Sequence, residues 1–236
     1  MRTEFLFVGN ALRNIRRNFR RNFNLGGNFM EYVLAVVIGY LFGCSNMAFY
    51  VSKFKKINLN KEGTGALTTS NTVTQVGWKA GLLVFFHDVF KAVFAILLMK
   101  LLFPDVTLAH WLTGFSAVLG HIFPFYNKFK GGKGHATCVG VIYTMAPLYA
   151  LSMTPVVIAV ILLTNYIIFG SFTTSLAITV YLFCTSQWLA GIFSLVILGV
   201  IIWKHIENIK RIINGTEKKV LTAFKKKKTD ENNENQ

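Results

Sequence analysis

Long apolar runs alternate with short polar segments along the chain. Residues 32–51, 80–103 and 108–125 are apolar, and each run has a length that spans a bilayer, roughly 17–25 residues. A polar segment at residues 52–79 separates the first two runs, and Pro104 and Asp105 separate the second from the third. The first half of the chain therefore predicts three transmembrane helices.

The second half is apolar for 69 residues, from 135 to 203, with interruptions at Pro147, at Pro155 and at two polar segments, 165–175 and 186–187. This length is too great for three ordinary spans with loops and short for four. It predicts four compact helices, which begin near His135, Pro155, Ser171 and Trp188. The fold expected is an all-α integral membrane protein with about seven transmembrane helices, and six fit nearly as well.

Composition agrees with this fold, because 53% of the 236 residues are hydrophobic, 15% are charged and the mean hydropathy is +0.47. The net charge of +15 is segregated into clusters that border the spans. Such clusters are typical of contact with anionic lipid headgroups and small anions rather than nucleic acid. We divide the chain into a basic N-terminal extension (1–29), a membrane domain (30–217) and a Lys/Asn-rich cytoplasmic tail (218–236).

Basic residues also predict the topology. With seven spans, three basic clusters lie on one side of the membrane. The first contains Lys53, Lys55, Lys56, Lys61 and Lys79, the second contains Lys128, Lys130 and Lys133, and the third consists of nine basic residues after Trp203. The positive-inside rule makes this side cytoplasmic, so the N-terminus lies outside and the C-terminus inside. The arginines of the extension oppose this rule, since they would lie outside; they are Arg2, Arg13, Arg16, Arg17, Arg20 and Arg21.

A loop of glycines and lysines follows the third apolar run. Gly131, Gly132 and Gly134 have no Cβ, so their backbone N–H groups can turn toward one anion, and Lys133 between them adds a charge. A helix beginning near His135 would present its positive end to the same anion. The pattern predicts a phosphate site, and the alternative is a basic turn at the headgroup surface.

Another polar cluster joins the first span to its loop. Its Gly, Ser, Thr and Asn residues offer neutral donors that suit an oxygen-rich ligand, and the alternative is an ordinary hydrated loop. Candidate residues here are Cys44, Ser45, Lys61, Thr64, Gly65 and Asn71. The three cysteines are far apart and follow no metal-ligand spacing, so they offer no cysteine metal site.

The last polar cluster begins where the final span ends. His205 and Asn208 are three residues apart and share a helical face, which makes them candidate catalytic residues. Residues 106–206 contain no Asp or Glu, so acid/base chemistry in that part must use other groups. In the second span Asp88 and Lys91 are also three apart, and we interpret them as a structural pair inside the bundle.

All these polar clusters are predicted on one side of the membrane, as expected for an enzyme. A transporter of a small anion or phospholipid is the alternative, since buried charges and basic loops also occur in that class. A transporter favours internal repeats and polar clusters on both sides, neither of which is present in the sequence.

Two stretches carry a family resemblance. GHIFPFYNKFKGGKGHAT, at residues 120–137, resembles the second signature of the bacterial acyl-phosphate-dependent glycerol-3-phosphate acyltransferases, and KHIENIKRIINGTE, at residues 204–217, resembles the third. The similarity covers residues 32–217. It implies a seven-helix membrane enzyme that transfers an acyl group from acyl-phosphate to the first hydroxyl of glycerol 3-phosphate, without a metal or coenzyme A, on the cytoplasmic side of the cell membrane.

The resemblance also assigns residues. Gly131, Gly132, Lys133 and Gly134 become the phosphate loop, His205 and Asn208 the catalytic residues, and Glu207 a structural support. In the first signature the family serine corresponds to Cys44, with Ser45 next to it, and the family arginine corresponds to Asn60, with Lys61 next to it. Asn71 matches, Ser171 is retained, and Thr174 takes the place of a second small residue. Implied partners are both substrates, membrane lipid and the soluble enzyme that forms acyl-phosphate.

Overall fold

The structure is a computed structural model that describes residues 27–220. In that range it contains ten α-helices, a short 3₁₀ turn at Phe125–Asn127 and no strand. The helices are α1 (Phe29–Cys44), α2 (Met47–Phe54), α3 (Thr69–Gln75), α4 (Trp78–Leu102), α5 (Thr107–Ile122), α6 (His135–Met145), α7 (Pro147–Thr164), α8 (Ile167–Cys184), α9 (Trp188–Lys204) and α10 (Ile206–Ile213). Most of the predicted N-terminal extension and C-terminal tail lies outside the described residues.

Several predicted boundaries were wrong. The helix expected from Pro155 begins at Pro147, because proline suits the first turn of a helix, and Pro155 lies inside the same helix. The helix expected from Ser171 begins at Ile167. The first predicted span is broken into α1 and α2, and the polar segment that follows contains α3. The helices expected from His135 and Trp188 begin at those residues.

By length and composition, four segments in the described range qualify as membrane spans: Phe29–Phe54, α4, α7 and α8. A fifth results if α9 and α10, which are bent by 47° at their junction, are counted as one. Helices α5 and α6 have only 16 and 11 residues, so they fall short of the length usual for a span. The count of seven spans stays a prediction.

Helices α1 and α5 approach each other closely because glycines face the contact. A Cβ on Gly39 would lie 2.2 Å from the carbonyl oxygen of Thr113, and one on Gly43 would lie 2.1 Å from that of Ala117. Small residues spaced four apart allow such contact between helix backbones in a membrane, where dispersion forces replace the hydrophobic effect. This contact fixes the C-terminal end of α1 beside the C-terminal half of α5.

Between α1 and α2 the chain leaves the helical conformation at Ser45 and Asn46. The side-chain oxygen of Asn46 caps the N-terminus of α2. The carbonyl of Cys44 accepts a hydrogen bond from the Tyr126 hydroxyl (2.6 Å), and that of Ser45 accepts one from the Lys91 ammonium (2.8 Å). The break is therefore satisfied by protein groups, as non-helical backbone inside an apolar bundle requires.

Candidate active site

The loop between α5 and α6 folds back on the end of α5. The Gly131 N–H donates to the carbonyl of Ile122 (3.1 Å), and the Gly132 N–H donates to that of His121 (3.1 Å). Only Gly134 of the three glycines has a positive φ, at 92°. The predicted nest of glycine N–H groups is therefore wrong for Gly131 and Gly132, whose donors are already bonded. Gly134 instead begins α6 as its N-cap.

Gly132 is required for a close contact. A Cβ at this position would lie 2.0 Å from Nε2 of His121 and 2.7 Å from the carbonyl oxygen of Leu67. We expect Gly132→Ala to displace the loop and to lower kcat/KM at least about tenfold, with a loss of stability of about 1–3 kcal/mol from overpacking. Steady-state kinetics and unfolding in detergent measure both effects.

The matched control for this substitution is Gly199→Ala in α9. No atom lies within 4 Å of a Cβ built there, so this change should leave activity intact and preserve or raise stability. Equal kinetics for Gly132→Ala and the wild type would show that the loop tolerates a side chain and that the close approach is unimportant.

Lys133 points from the loop toward α10 and ends in a polar network. Its ammonium donates to the side-chain oxygen of Asn208, the amide of Asn208 donates to Glu217 (2.7 Å), and Arg211 donates to the other oxygen of Glu217 (2.6 Å). Burial away from water, aided by the Arg211 charge, lowers the pKa of Lys133 to about 8. The network therefore holds the Lys133 ammonium at α10, while the backbone of Lys133 directly precedes Gly134, the N-cap of α6.

His205 lies at the bend between α9 and α10 and is buried. Its Nδ1 is 2.8 Å from the carbonyl oxygen of Ile201. A carbonyl only accepts, so Nδ1 carries a proton, and the neutral form of the ring therefore has its lone pair on Nε2. The ring of Phe172 packs against the imidazole edge to face, with 5.4 Å between the ring centroids. His205 is thus held in one tautomer that can accept a proton.

The N-terminal part of α8 lies beside these groups. Ser171 and Thr174 are both buried there, and the hydroxyl of Thr174 is 3.4 Å from Nε2 of His135 in the first turn of α6. The Phe172 contact brings the same turn of α8 to His205. Thr174 therefore lies beside the first turn of α6, and Ser171 precedes the residue that contacts His205.

Asn71 organises the first loop. Its amide nitrogen lies within 3.0–3.2 Å of three backbone carbonyls, and its oxygen accepts from the Thr64 N–H (3.0 Å). The side chain is fully buried, so a substrate would have to replace one of these bonds. Lys61 and Gly65, by contrast, are exposed on the loop that Asn71 holds, and Thr64 is half-buried there.

Asp88 and Lys91 form the predicted pair, at 2.9 Å between the ammonium and Oδ1. The Lys91 ammonium also contacts Nδ1 of His121 at 2.8 Å, besides the Ser45 carbonyl. The same oxygen, Oδ1 of Asp88, lies 3.5 Å from Nδ1 of His87 and 3.5 Å from Nδ1 of His121. The pair is therefore the centre of a buried cluster that connects α4, α5 and the break after α1.

Glu207 does not take part in the site. Its side chain is 69% exposed and pairs with Lys210 at 2.9 Å on the surface of α10. The supporting carboxylate is that of Glu217, which is 14% exposed and orients the Asn208 amide. The sequence prediction did not assign Glu217, His87 or His121 to the site. The local signal for His87 is a polar residue inside an apolar run, and His121 lies in the quoted stretch at residues 120–137.

The predicted clusters do meet in space. The carbonyl of Leu67 in the first loop lies against Gly132 in the second, and Lys133 in the second loop bonds to Asn208 in the third cluster. Cys44, the residue in the serine position, is buried, with 3% exposure, while Ser45 is half-buried. Chemically, the site offers the Lys133 ammonium, a helix N-terminus and an imidazole, a set that suits a group-transfer reaction of a phosphate-bearing molecule.

Fold and site thus define a helical membrane protein whose candidate site contains the Lys133 ammonium and the His205 imidazole. The family model for glycerol-3-phosphate acyltransferase matches residues 33–215. Glycerol-3-phosphate acyltransferase of Thermoanaerobacter pseudethanolicus is 38% identical over 195 residues, which are 81% of this chain and 96% of that protein. The protein of the same name from Bacillus subtilis is 35% identical over 192 residues, with coverage of 81% and 98%.

Two solved structures of the integral membrane glycerol 3-phosphate acyltransferase PlsY are also similar. Its glycerol 3-phosphate form has a TM-score of 0.73 and 31% identity, with 80% of this chain and 94% of that chain covered. Its lysophosphatidic acid form has a TM-score of 0.70 and 30% identity, with coverage of 80% and 96%. The chain belongs to the glycerol-3-phosphate acyltransferase family, a group of membrane acyltransferases of phospholipid synthesis rather than transporters.

Proposed function

We propose that this chain transfers an acyl group from acyl-phosphate to the sn-1 hydroxyl of glycerol 3-phosphate, which gives lysophosphatidic acid and phosphate. The observation that carries the proposal is the half-buried Lys133, which directly precedes the N-cap of α6 and whose ammonium Asn208 holds near the imidazole of His205. Support comes from the two related PlsY structures. One is the glycerol 3-phosphate form and the other is the lysophosphatidic acid form.

In the proposed reaction the sn-1 oxygen attacks the carbonyl carbon of acyl-phosphate. The bond between this carbon and the phosphate oxygen breaks, and phosphate leaves as an anion. Nε2 of His205 takes the proton of the attacking hydroxyl, since the bond to the Ile201 carbonyl keeps the ring proton on Nδ1. Because acyl-phosphate is already reactive, positioning and charge neutralisation supply most of the catalysis.

Lys133 neutralises the phosphate of acyl-phosphate in this scheme, together with N–H groups at the start of α6. Lys61, Thr64 and Gly65 on the first loop seat glycerol 3-phosphate. The acyl chain lies between helices in contact with lipid. The site lies on the cytoplasmic side of the cell membrane. A soluble enzyme delivers acyl-phosphate to it from the cytoplasm.

A direct assay tests the function. Purified protein in lipid receives palmitoyl-phosphate and labelled glycerol 3-phosphate, without metal or coenzyme A esters. We expect labelled lysophosphatidic acid and one equivalent of phosphate. Folded protein that makes no product from acyl-phosphates of several chain lengths, but does so from another acyl donor, would overturn the assignment of the donor.

The depressed pKa of Lys133 predicts a pH dependence. A lysine with a pKa of about 8 is mostly charged at pH 7 and mostly neutral at pH 9, so phosphate loses its cation as the pH rises through 8. We expect KM for acyl-phosphate to rise about tenfold between these pH values. Lys133→Arg is the control, because a guanidinium stays charged throughout and should flatten the profile. A constant KM in the wild type would contradict the prediction.

A further inference from the structure

The break after α1 holds a second polar arrangement that the proposed reaction does not use. The Ser45 hydroxyl lies 3.0 Å from Nε2 of His87, and Nδ1 of the same ring lies 3.5 Å from Oδ1 of Asp88. An imidazole between a hydroxyl and a carboxylate has a fixed tautomer, because Nδ1–H faces the carboxylate and Nε2 accepts from the hydroxyl. The proton of Ser45 is therefore directed to His87.

This arrangement leaves the Ser45 oxygen free to accept. Its two lone pairs face away from the bond to His87, and the residue is half-buried, so a small polar molecule can reach it. The adjacent Asn46 is fully buried, and among the described residues its side-chain nitrogen has no partner. A buried donor without a partner is unusual in a folded protein, and its place next to Ser45 in the chain is consistent with a polar ligand at the break.

The break is also next to the phosphate loop. Lys91 joins the Ser45 carbonyl to His121, and His121 packs against Gly132, the neighbour of Lys133. Cys44 is the poorer candidate at the same place, since it is 3% exposed and its sulfur is a weak hydrogen-bonding group. The hydroxyl at this end of the site is thus that of Ser45.

We propose that Ser45 binds the glycerol hydroxyls of glycerol 3-phosphate and that His87 is the positioning residue that orients Ser45. The inference rests on glycerol 3-phosphate as the acceptor in the proposed function. It assigns the role of the first signature to Ser45 rather than Cys44, and it adds His87, which no sequence signature includes.

Calorimetry measures the binding of glycerol 3-phosphate alone and tests the inference. The result does not depend on which acyl donor the protein uses. We expect Ser45→Ala and His87→Leu each to raise Kd about fivefold to tenfold, the effect of one hydrogen bond, with an unchanged unfolding temperature. His87→Gln should restore binding to within about twofold, since the Gln amide oxygen can accept from Ser45. In turnover, KM for glycerol 3-phosphate should rise while KM for acyl-phosphate stays constant.

His110→Gln is the matched control, because this buried histidine bonds to the Phe103 carbonyl at the start of α5 and should leave binding unchanged. The assignment of Ser45 would be overturned if Ser45→Ala bound glycerol 3-phosphate with the wild-type Kd. It would also be overturned if only Cys44→Ala lost affinity for glycerol 3-phosphate. Equal loss in His87→Leu and His87→Gln would overturn positioning by a hydrogen bond. Wild-type protein that binds no glycerol 3-phosphate would overturn the acceptor itself, whereas binding without product from acyl-phosphate would overturn only the donor.

Discussion

Replacing Lys133 with Met should lower kcat/KM about 100- to 1,000-fold while the protein stays folded. The ammonium is the charged group at the proposed phosphate site, and a preorganised donor to a developing anion is worth about 2.7–4 kcal/mol in a transition state. Methionine keeps the length of the side chain without the charge, so packing against the loop is retained. The Asn208 oxygen loses its donor, which adds to the loss because this amide is buried.

Steady-state kinetics with varied acyl-phosphate and glycerol 3-phosphate measure this effect, and an unfolding curve in detergent establishes that the variant is folded. Lys130→Met is the matched control, since Lys130 is exposed in the same loop. This substitution removes the same charge from the protein. A similar loss in both variants would mean that general electrostatics, not a phosphate contact, controls the rate. Wild-type kinetics in Lys133→Met would reject the role altogether.

Removing the Asp88 carboxylate should cost the most stability. In Asp88→Ala the Lys91 ammonium stays buried, with 4% exposure, next to His121 and without its counter-ion. Breaking one partner of a buried pair typically costs about 3–5 kcal/mol, because the remaining charge has no compensation. The loss should also move the Ser45 carbonyl, which Lys91 holds. Reversible denaturation in detergent micelles measures the change.

Two controls separate this effect from a general loss of charge. Glu207→Ala removes a carboxylate from an exposed pair with Lys210 and should not change stability measurably. Asp88→Leu combined with Lys91→Met leaves no buried charge and should recover much of the lost stability. An Asp88→Ala protein as stable as the wild type would show that water or another group solvates Lys91 in the bundle.

Local patterns pointed to several of the residues that the structure brings together in the candidate site. The Asp88–Lys91 pair follows from a spacing of three in a helix, since both side chains then lie on one face. Lys133 stands out as a cation between glycines, and His205 and Asn208 stand out where an apolar run ends. In each case the chemistry depends on neighbours in sequence, so one-dimensional information suffices.

Other features depend on atoms that only packing brings together. Whether the Gly131 and Gly132 N–H groups face an anion or the end of α5 depends on how the loop folds back, and the sequence permits both. Glu207 and Glu217 look alike in a basic segment, but the turn after α10 carries only Glu217 to Asn208. The choice between them is decided by backbone direction.

By itself, then, the sequence determined the helical membrane class, the buried ion pair and the identity of the cationic and imidazole groups, because hydrophobic runs and helical spacing are local properties. The tertiary structure decided the break between α1 and α2, the contact of Lys133 with Asn208 across 75 positions, and the pairing of Ser45 with His87. These depend on close helix packing at glycines and on which hydrogen-bond donors remain free after the backbone has folded.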